Sequence, residues 1–195
     1  MNLLDHYDHL MNAVESCNLP RVEQLLAQWP GDVNDHLLNA AISLNAPEIV
    51  AVLAPRAIDQ HHKGLVKAVN HKFLDCVDVL LPYCSNEQRV NALGWAVEND
   101  FLRGVTHLAA HCDVYNSHSL FVAVLWRREE IFEFLFPLSD PWRTLNDMRA
   151  EFHTSPPSKD ERENWMWFEQ RMAEEQRKTL VGELPTPSAS RAAKI

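Results

Sequence analysis

Glycine is scarce in this chain of 195 residues, which has only 5. That scarcity disfavours turn-rich β architectures and the glycine-rich loops that cradle phosphates. The four cysteines (Cys17, Cys76, Cys84 and Cys112) form no C-x-x-C pair, so neither a disulfide framework nor a zinc knuckle is indicated. No apolar run approaches the roughly 18 residues that a membrane-spanning helix needs. The segment Met1–Asp8 is acidic and lacks the basic-then-apolar layout of a secretory signal. Basic residues are outnumbered, 18 Lys+Arg against 27 Asp+Glu, for a net charge of −9 at pH 7. Phosphate backbones and anionic membrane surfaces are therefore poor partners, and neither nucleic acid nor membrane is expected.

Catalytic signatures are missing as well. There is no G-x-S-x-G elbow, no H-E-x-x-H, no Walker loop and no G-x-G-x-x-G. Carboxylate pairs such as Glu129-Glu130 and Glu174-Glu175 are adjacent in sequence, so they splay apart on a helix. The expectation is a cytoplasmic, reduced protein that is not an enzyme and carries no cofactor and no metal.

What the chain does have is an internal repeat. Five segments begin at Leu10, Leu37, Leu65, Leu93 and Leu120, at intervals of 27, 28, 28 and 27 residues. Each carries alanine three residues on: Ala13, Ala40, Ala68, Ala96 and Ala123. A second apolar set follows at Val22, Ile49, Val77, Val105 and Phe132. Leu25, Val52, Leu80, Leu108 and Leu135 lie three residues further. Apolar positions at i, i+3 and i+4 read as one face of a helix, so each unit is two short helices. Asp8, Asp35 and Asn91, two residues before the leading leucine, are placed to cap the first helix. Pro20 and Pro47 fall in one register, at the opening turn of the second. One such unit cannot bury its apolar face, whereas five stacked units make a continuous core.

These residues resemble the ankyrin repeat family. The family pattern Leu-x-Leu-Ala-Ala-x-x-Gly-x-x-x-Val-Val-x-x-Leu-Leu is similar to Leu10-Met11-Asn12-Ala13-Val14, followed by Val22 and Leu25-Leu26. The likeness covers roughly residues 7 to 138. The Thr-Pro-Leu-His opening is absent, with Asp8-His9-Leu10 and Asp35-His36-Leu37 in its place. Cys17, Leu44, Lys72, Asp100 and Arg127 stand where the family has its turn glycine. The period falls short of the usual ~33 residues, and the deficit lies where the family carries its β-hairpin fingers.

The reading is an all-α fold, an α-solenoid of about five stacked ankyrin-like helix-turn-helix repeats with a C-terminal helix. The repeat domain spans 1–152, a linker 153–160, a C-terminal amphipathic helix 161–181 and a disordered tail 182–195. In the helix, Trp165, Phe168 and Met172 form a stripe that either docks on the last repeat or serves as a partner-binding arm.

The resemblance implies a non-catalytic module that binds a protein partner through its concave face. Carried over residue by residue, that face is Tyr7, Glu15 and Ser16 in the first unit, and Asn34, Ile42 and Ser43 in the second. His62, Asn70 and His71 continue it, then Val90, Glu98 and Asn99, then Ser117, Leu125 and Trp126. Aromatic side chains dominate interface hot spots, which makes Trp126 the best single anchor; Leu125-Trp126 buried beneath the C-terminal helix is the rival reading. One alternative function is a small bacterial or viral effector or inhibitor that blocks a host protein, an acidic surface being suited to plugging a basic site. Another is a metal-dependent enzyme built on Cys84, His107, His111 and Cys112. Oligomeric state stays open, since Leu3 and Leu4 at the first unit could be covered by a second copy.

Overall fold

The helical periodicity is realised throughout. The computed structural model describes residues 3–29, 31–57, 60–115 and 117–182, and these are all-α, with twelve α-helices and no strand among them. The first hairpin is α1 (Leu3–Glu15) and α2 (Leu19–Ala27); α3 (Asp35–Ser43) and α4 (Pro47–Leu53) form the next. Then come α5 (His61–Asn70) with α6 (Leu74–Leu80), α7 (Asn86–Glu98) with α8 (Leu102–Ala109), and α9 (Ser119–Leu125) with α10 (Glu129–Leu135). α11 (Pro141–Thr154) and α12 (Lys159–Gly182) complete the set. None of these helices is long and apolar enough to cross a membrane.

First helices pack on first helices, in a row running α1, α3, α5, α7, α9. Second helices form another row, in which α2 meets α4, α4 meets α6, and α8 meets α10. Both α11 and α12 pack against α9 at the far end.

All five hairpins turn in the same way. Cys17, Asn45, Lys72, Asp100 and Arg127 hold left-handed φ angles between 50° and 61°. The Cys17 N–H donates to the Val14 carbonyl and the Asn18 N–H to the Ala13 carbonyl, both at 2.9 Å. The same pair of bonds recurs at Asn45/Ala46, Lys72/Phe73, Asp100/Phe101 and Arg127/Arg128. This C-cap satisfies two helix-end carbonyls, and a left-handed residue with a Cβ costs about 1–2 kcal/mol, least for Asn and Asp.

The turns set the register, at intervals of 28, 27, 28 and 27. The expected turn residue Leu44 is therefore corrected to Asn45, and Ala40, Ile49 and Val52 yield their places to Ala41, Val50 and Leu53. Ala41, Val50 and Leu53 are fully buried, whereas Ala40 and Val52 are only half-buried. The second unit has two adjacent leucines, Leu37 and Leu38, and two adjacent alanines. Its sequence thus permits two alignments one residue apart, and only the turn separates them. In the corrected register, Val22, Val50, Val77, Val105 and Phe132 are all 0% exposed. Leu25, Leu53, Leu80, Leu108 and Leu135 are at most 2% exposed, each burial worth roughly 1.5–3 kcal/mol. Pro20 and Pro47 separate by one position too: Pro47 opens α4, and Pro20 is the second residue of α2.

The expected caps also move. Asp8, Asp35 and Asn91 lie inside α1, α3 and α7. Asn34 caps α3 by accepting from the Leu37 N–H, and Ser85 caps α7 in a reciprocal box with Gln88. Between units, basic side chains reach back to helix-end carbonyls. Arg56 donates to Leu26 at 2.6 Å, the His61 ring nitrogen lies 2.8 Å from the Ala54 carbonyl, and Arg89 donates to Leu81 at 2.9 Å.

The aromatic stripe of α12 docks on the last hairpin. Phe168 and Met172 are buried, and the Phe168 and Trp167 rings stand 5.8 and 4.7 Å from Phe132. Asn164 donates to the Leu125 carbonyl at 2.9 Å, and Arg171 pairs with Glu133 at 3.2 Å. The connection between α11 and α12 is four residues, 155–158, shorter than the expected linker, because α11 continues through Thr154. Gly182 is the last residue of α12; the rest of the expected tail, 183–195, lies outside the described residues.

Candidate functional site

The exposed face of the first-helix row carries two adjoining clefts. The larger, about 760 Å³, lies between α7 and α9, and its lining includes Glu87, Asn91, Gly94, Trp95 and Glu98 from α7. His118, the residue before α9, and Ser119 and Val122 of α9 face them, with His62 of α5 at the edge. The smaller, about 430 Å³, lies between α5 and α7 and is lined by Lys63, Val66, Lys67, Asn70 and His71, among others. His62, Asn91 and Trp95 belong to both and form the ridge between them.

The larger cleft has a simple origin. α7 has 13 residues and α9 has 7, yet both end two residues before their left-handed turn. α9 thus starts six residues late in register, leaving about 9 Å of the α7 flank without a neighbour at 1.5 Å rise per residue. On α7, Glu87, Asn91, Gly94, Trp95 and Glu98 follow helical spacing and share one face. That face is the cleft wall, and its first part, with Glu87 and Asn91, precedes the start of α9 in register.

Local polar contacts fix the ridge. The His62 Nε2 lies 3.0 Å from Asn91 Oδ1, linking α5 to α7. Asn99 Nδ2 donates to Asn70 Oδ1 at 3.0 Å and to the Trp95 carbonyl at 2.8 Å. Lys67 donates to the Asn39 carbonyl at 3.0 Å. Trp95 is nonetheless 41% exposed, a large apolar surface with no ring or cation stacked on it among the described residues.

Gly94 stands out among the helical glycines. A Cβ on Gly104 would collide with the Phe101 ring at 2.2 Å, and one on Gly64 would press on Ile42 at 3.1 Å. A Cβ on Gly94 meets nothing within 4 Å. Glycine within a helix costs about 0.5–1 kcal/mol relative to alanine, and internal packing gives no reason for it here.

Of the positions expected on the partner face, His62, Asn70, His71, Val90, Glu98 and Ser117 line the two clefts. Glu15, Ser16, Asn34 and Ser43 are exposed away from them; Tyr7, Asn99 and Leu125 are half-buried outside them. Ile42 is corrected: it is 0% exposed and belongs to the core, because the second unit is shifted by one residue. Trp126 is 53% exposed and is not buried beneath α12. Trp95 and Gly94 were not anticipated. The signal available was a helical register in which Met11, Asn39, Val66 and Phe121 occupy the place that Gly94 leaves empty.

The alternative metal set does not assemble. His107 Nε2 lies 2.5 Å from Asp78 Oδ1 on α6, and no three His, Cys, Asp or Glu converge to hold a metal ion among the described residues. Burial pushes the thiols of Cys76, Cys84 and Cys112 up to about 11, leaving them protonated at neutral pH. No family model matches the chain, and no curated protein is significantly similar to it.

Proposed function

We propose that the chain is an ankyrin-like α-solenoid acting as a non-catalytic, cytoplasmic protein-binding module. Its partner lies across the exposed face of α5, α7 and α9. The observation that carries this reading is Trp95, a half-exposed indole on a ridge between two clefts, with no aromatic or cationic side chain stacked on it among the described residues. Aromatic residues at the centre of a patch, ringed by polar groups, are the usual anchors of protein interfaces. The five identical turns support the solenoid, since they stack the first helices into one row and give that row a common outward face. The raised thiols of Cys76, Cys84 and Cys112 support binding rather than turnover, since a nucleophilic cysteine needs a thiolate.

The test is photo-crosslinking in the native cell, with p-benzoylphenylalanine in place of Trp95 and, as control, of the exposed Arg103 on α8. The reading predicts a discrete protein adduct from position 95 and none from position 103. Equal labelling from both positions, or none from either, overturns it.

A further inference from the structure

We infer that the larger cleft receives an arginine or lysine side chain from an extended segment of the partner protein; this rests on the binding role proposed above. Four observations converge on it.

The first is charge. Glu87 and Glu98 line the cleft, no Lys or Arg lines it, and neither carboxylate has an ion-pair partner among the described residues. The remaining lining is polar or apolar, and the chain as a whole carries −9. A cation entering this space meets two carboxylates without ion-pair partners among the described residues, while the nearby Arg128 guanidinium is engaged by the Glu98 carbonyl at 2.7 Å and by Asp100.

The second is the indole. Trp95 borders the cleft, and a guanidinium or ammonium over an indole face is stabilised by its quadrupole. This chain already uses such pairings within itself, with Arg127 lying 5.1 Å from the Trp167 ring centroid and Arg171 lying 5.2 Å from that of Phe136.

The third is Gly94. The missing side chain opens the cleft next to Trp95, and none of the described residues fills the space. A helical glycine that packing does not require is accounted for when a ligand approaches the backbone there.

The fourth is Ser119. It is 2% exposed and lines the cleft, yet its hydroxyl has no hydrogen-bond partner among the described residues. A buried hydroxyl left unpaired is costly, and since its oxygen is closed to solvent here, a guanidinium or peptide N–H in the cleft supplies what it lacks once the start of α9 shifts slightly. The neighbouring smaller cleft, lined by Lys63 and Lys67, repels a second basic residue and so favours one basic side chain set at one place.

The experiment pans a random 12-residue phage-displayed peptide library against the full chain at 150 mM salt, where non-specific attraction to an acidic protein is screened. Selected peptides are then titrated against Glu98→Gln, Gly94→Leu and Trp95→Ala. Gly94→Leu places a good helix former where a Cβ has room, so its melting temperature, measured alongside, shows that the fold is kept. The inference predicts selected peptides sharing an Arg or Lys at a fixed position, with affinity lowered at least tenfold by Glu98→Gln and by Gly94→Leu. Peptides that need Trp95 but share no basic position, or that bind Glu98→Gln as well as the native chain, overturn the inference and leave the binding role standing. Selection of no peptide that depends on Trp95 overturns both.

Discussion

Asn45 holds the same left-handed backbone as Cys17, φ 50° in each, one structural unit apart. The two residues share nothing chemically except tolerance of that conformation, which asparagine accepts far better than cysteine. Glycine would remove the Cβ strain at the least suited positions. Cys17→Gly and Lys72→Gly are expected to stabilise the chain by about 0.5–1 kcal/mol each, and Asn45→Val to destabilise it by at least ~1 kcal/mol. Urea unfolding midpoints measure all three.

Gly94 makes the opposite prediction. Gly94→Ala adds a methyl group to open space and restores helix propensity, so stability rises by about 0.5–1 kcal/mol, or roughly 1–4 °C in melting temperature. A native sequence that declines so simple a gain fits a site at which an incoming ligand needs the room.

The C-terminal helix belongs to the folded unit. Phe168 is fully buried against Phe132, and Phe168→Ala is expected to cost about 3–5 kcal/mol. Ending the chain after Thr154 removes the whole aromatic stripe and exposes Phe132. The shortened protein should melt well below the full chain or aggregate, as followed by circular dichroism and light scattering.

Thiol chemistry separates one cysteine from three. Cys17 is exposed, whereas burial holds Cys76, Cys84 and Cys112 near 11, about one thiolate per thousand thiols at pH 8. With Ellman's reagent at pH 8, one equivalent of thiol should react promptly and three only slowly. In denaturant all four should react together.

Much of the architecture was legible in the sequence. Apolar spacing places ten short helices in five pairs, and the stripe of Trp165, Phe168 and Met172 marks the helix that packs on the last pair. The second unit was misread by one residue because Leu37-Leu38 and Ala40-Ala41 offer equivalent alignments; burial of Ile42 rather than its exposure follows from that shift. The 3₁₀ turns at Pro55, Pro82 and Pro137 repeat in the same register and were a sign of where second helices end, since proline has no N–H to continue them. The clefts were not legible. The larger arises from the unequal lengths of α7 and α9, set by where capping and loop residues begin each helix, and the apolar repeat holds no record of that. Trp95 sits one residue before a core alanine, where the repeat pattern carries no constraint, so only its exposure in the folded chain reveals it.

The stacking of first helices into one row is what gives the proposed binding face its common outward side, and adjacent alanines of the second unit test it most directly. Ala41 is fully buried in the line with Ala13, Ala68, Ala96 and Ala123, while Ala40 is half-buried beside it. Thermal unfolding of Ala41→Leu and Ala40→Leu should therefore diverge. Overpacking at Ala41 should cost about 1–3 kcal/mol and several degrees, and Ala40→Leu should change stability by less than about 0.5 kcal/mol. Equal losses in both variants, or a larger loss at Ala40, would contradict the stacked arrangement.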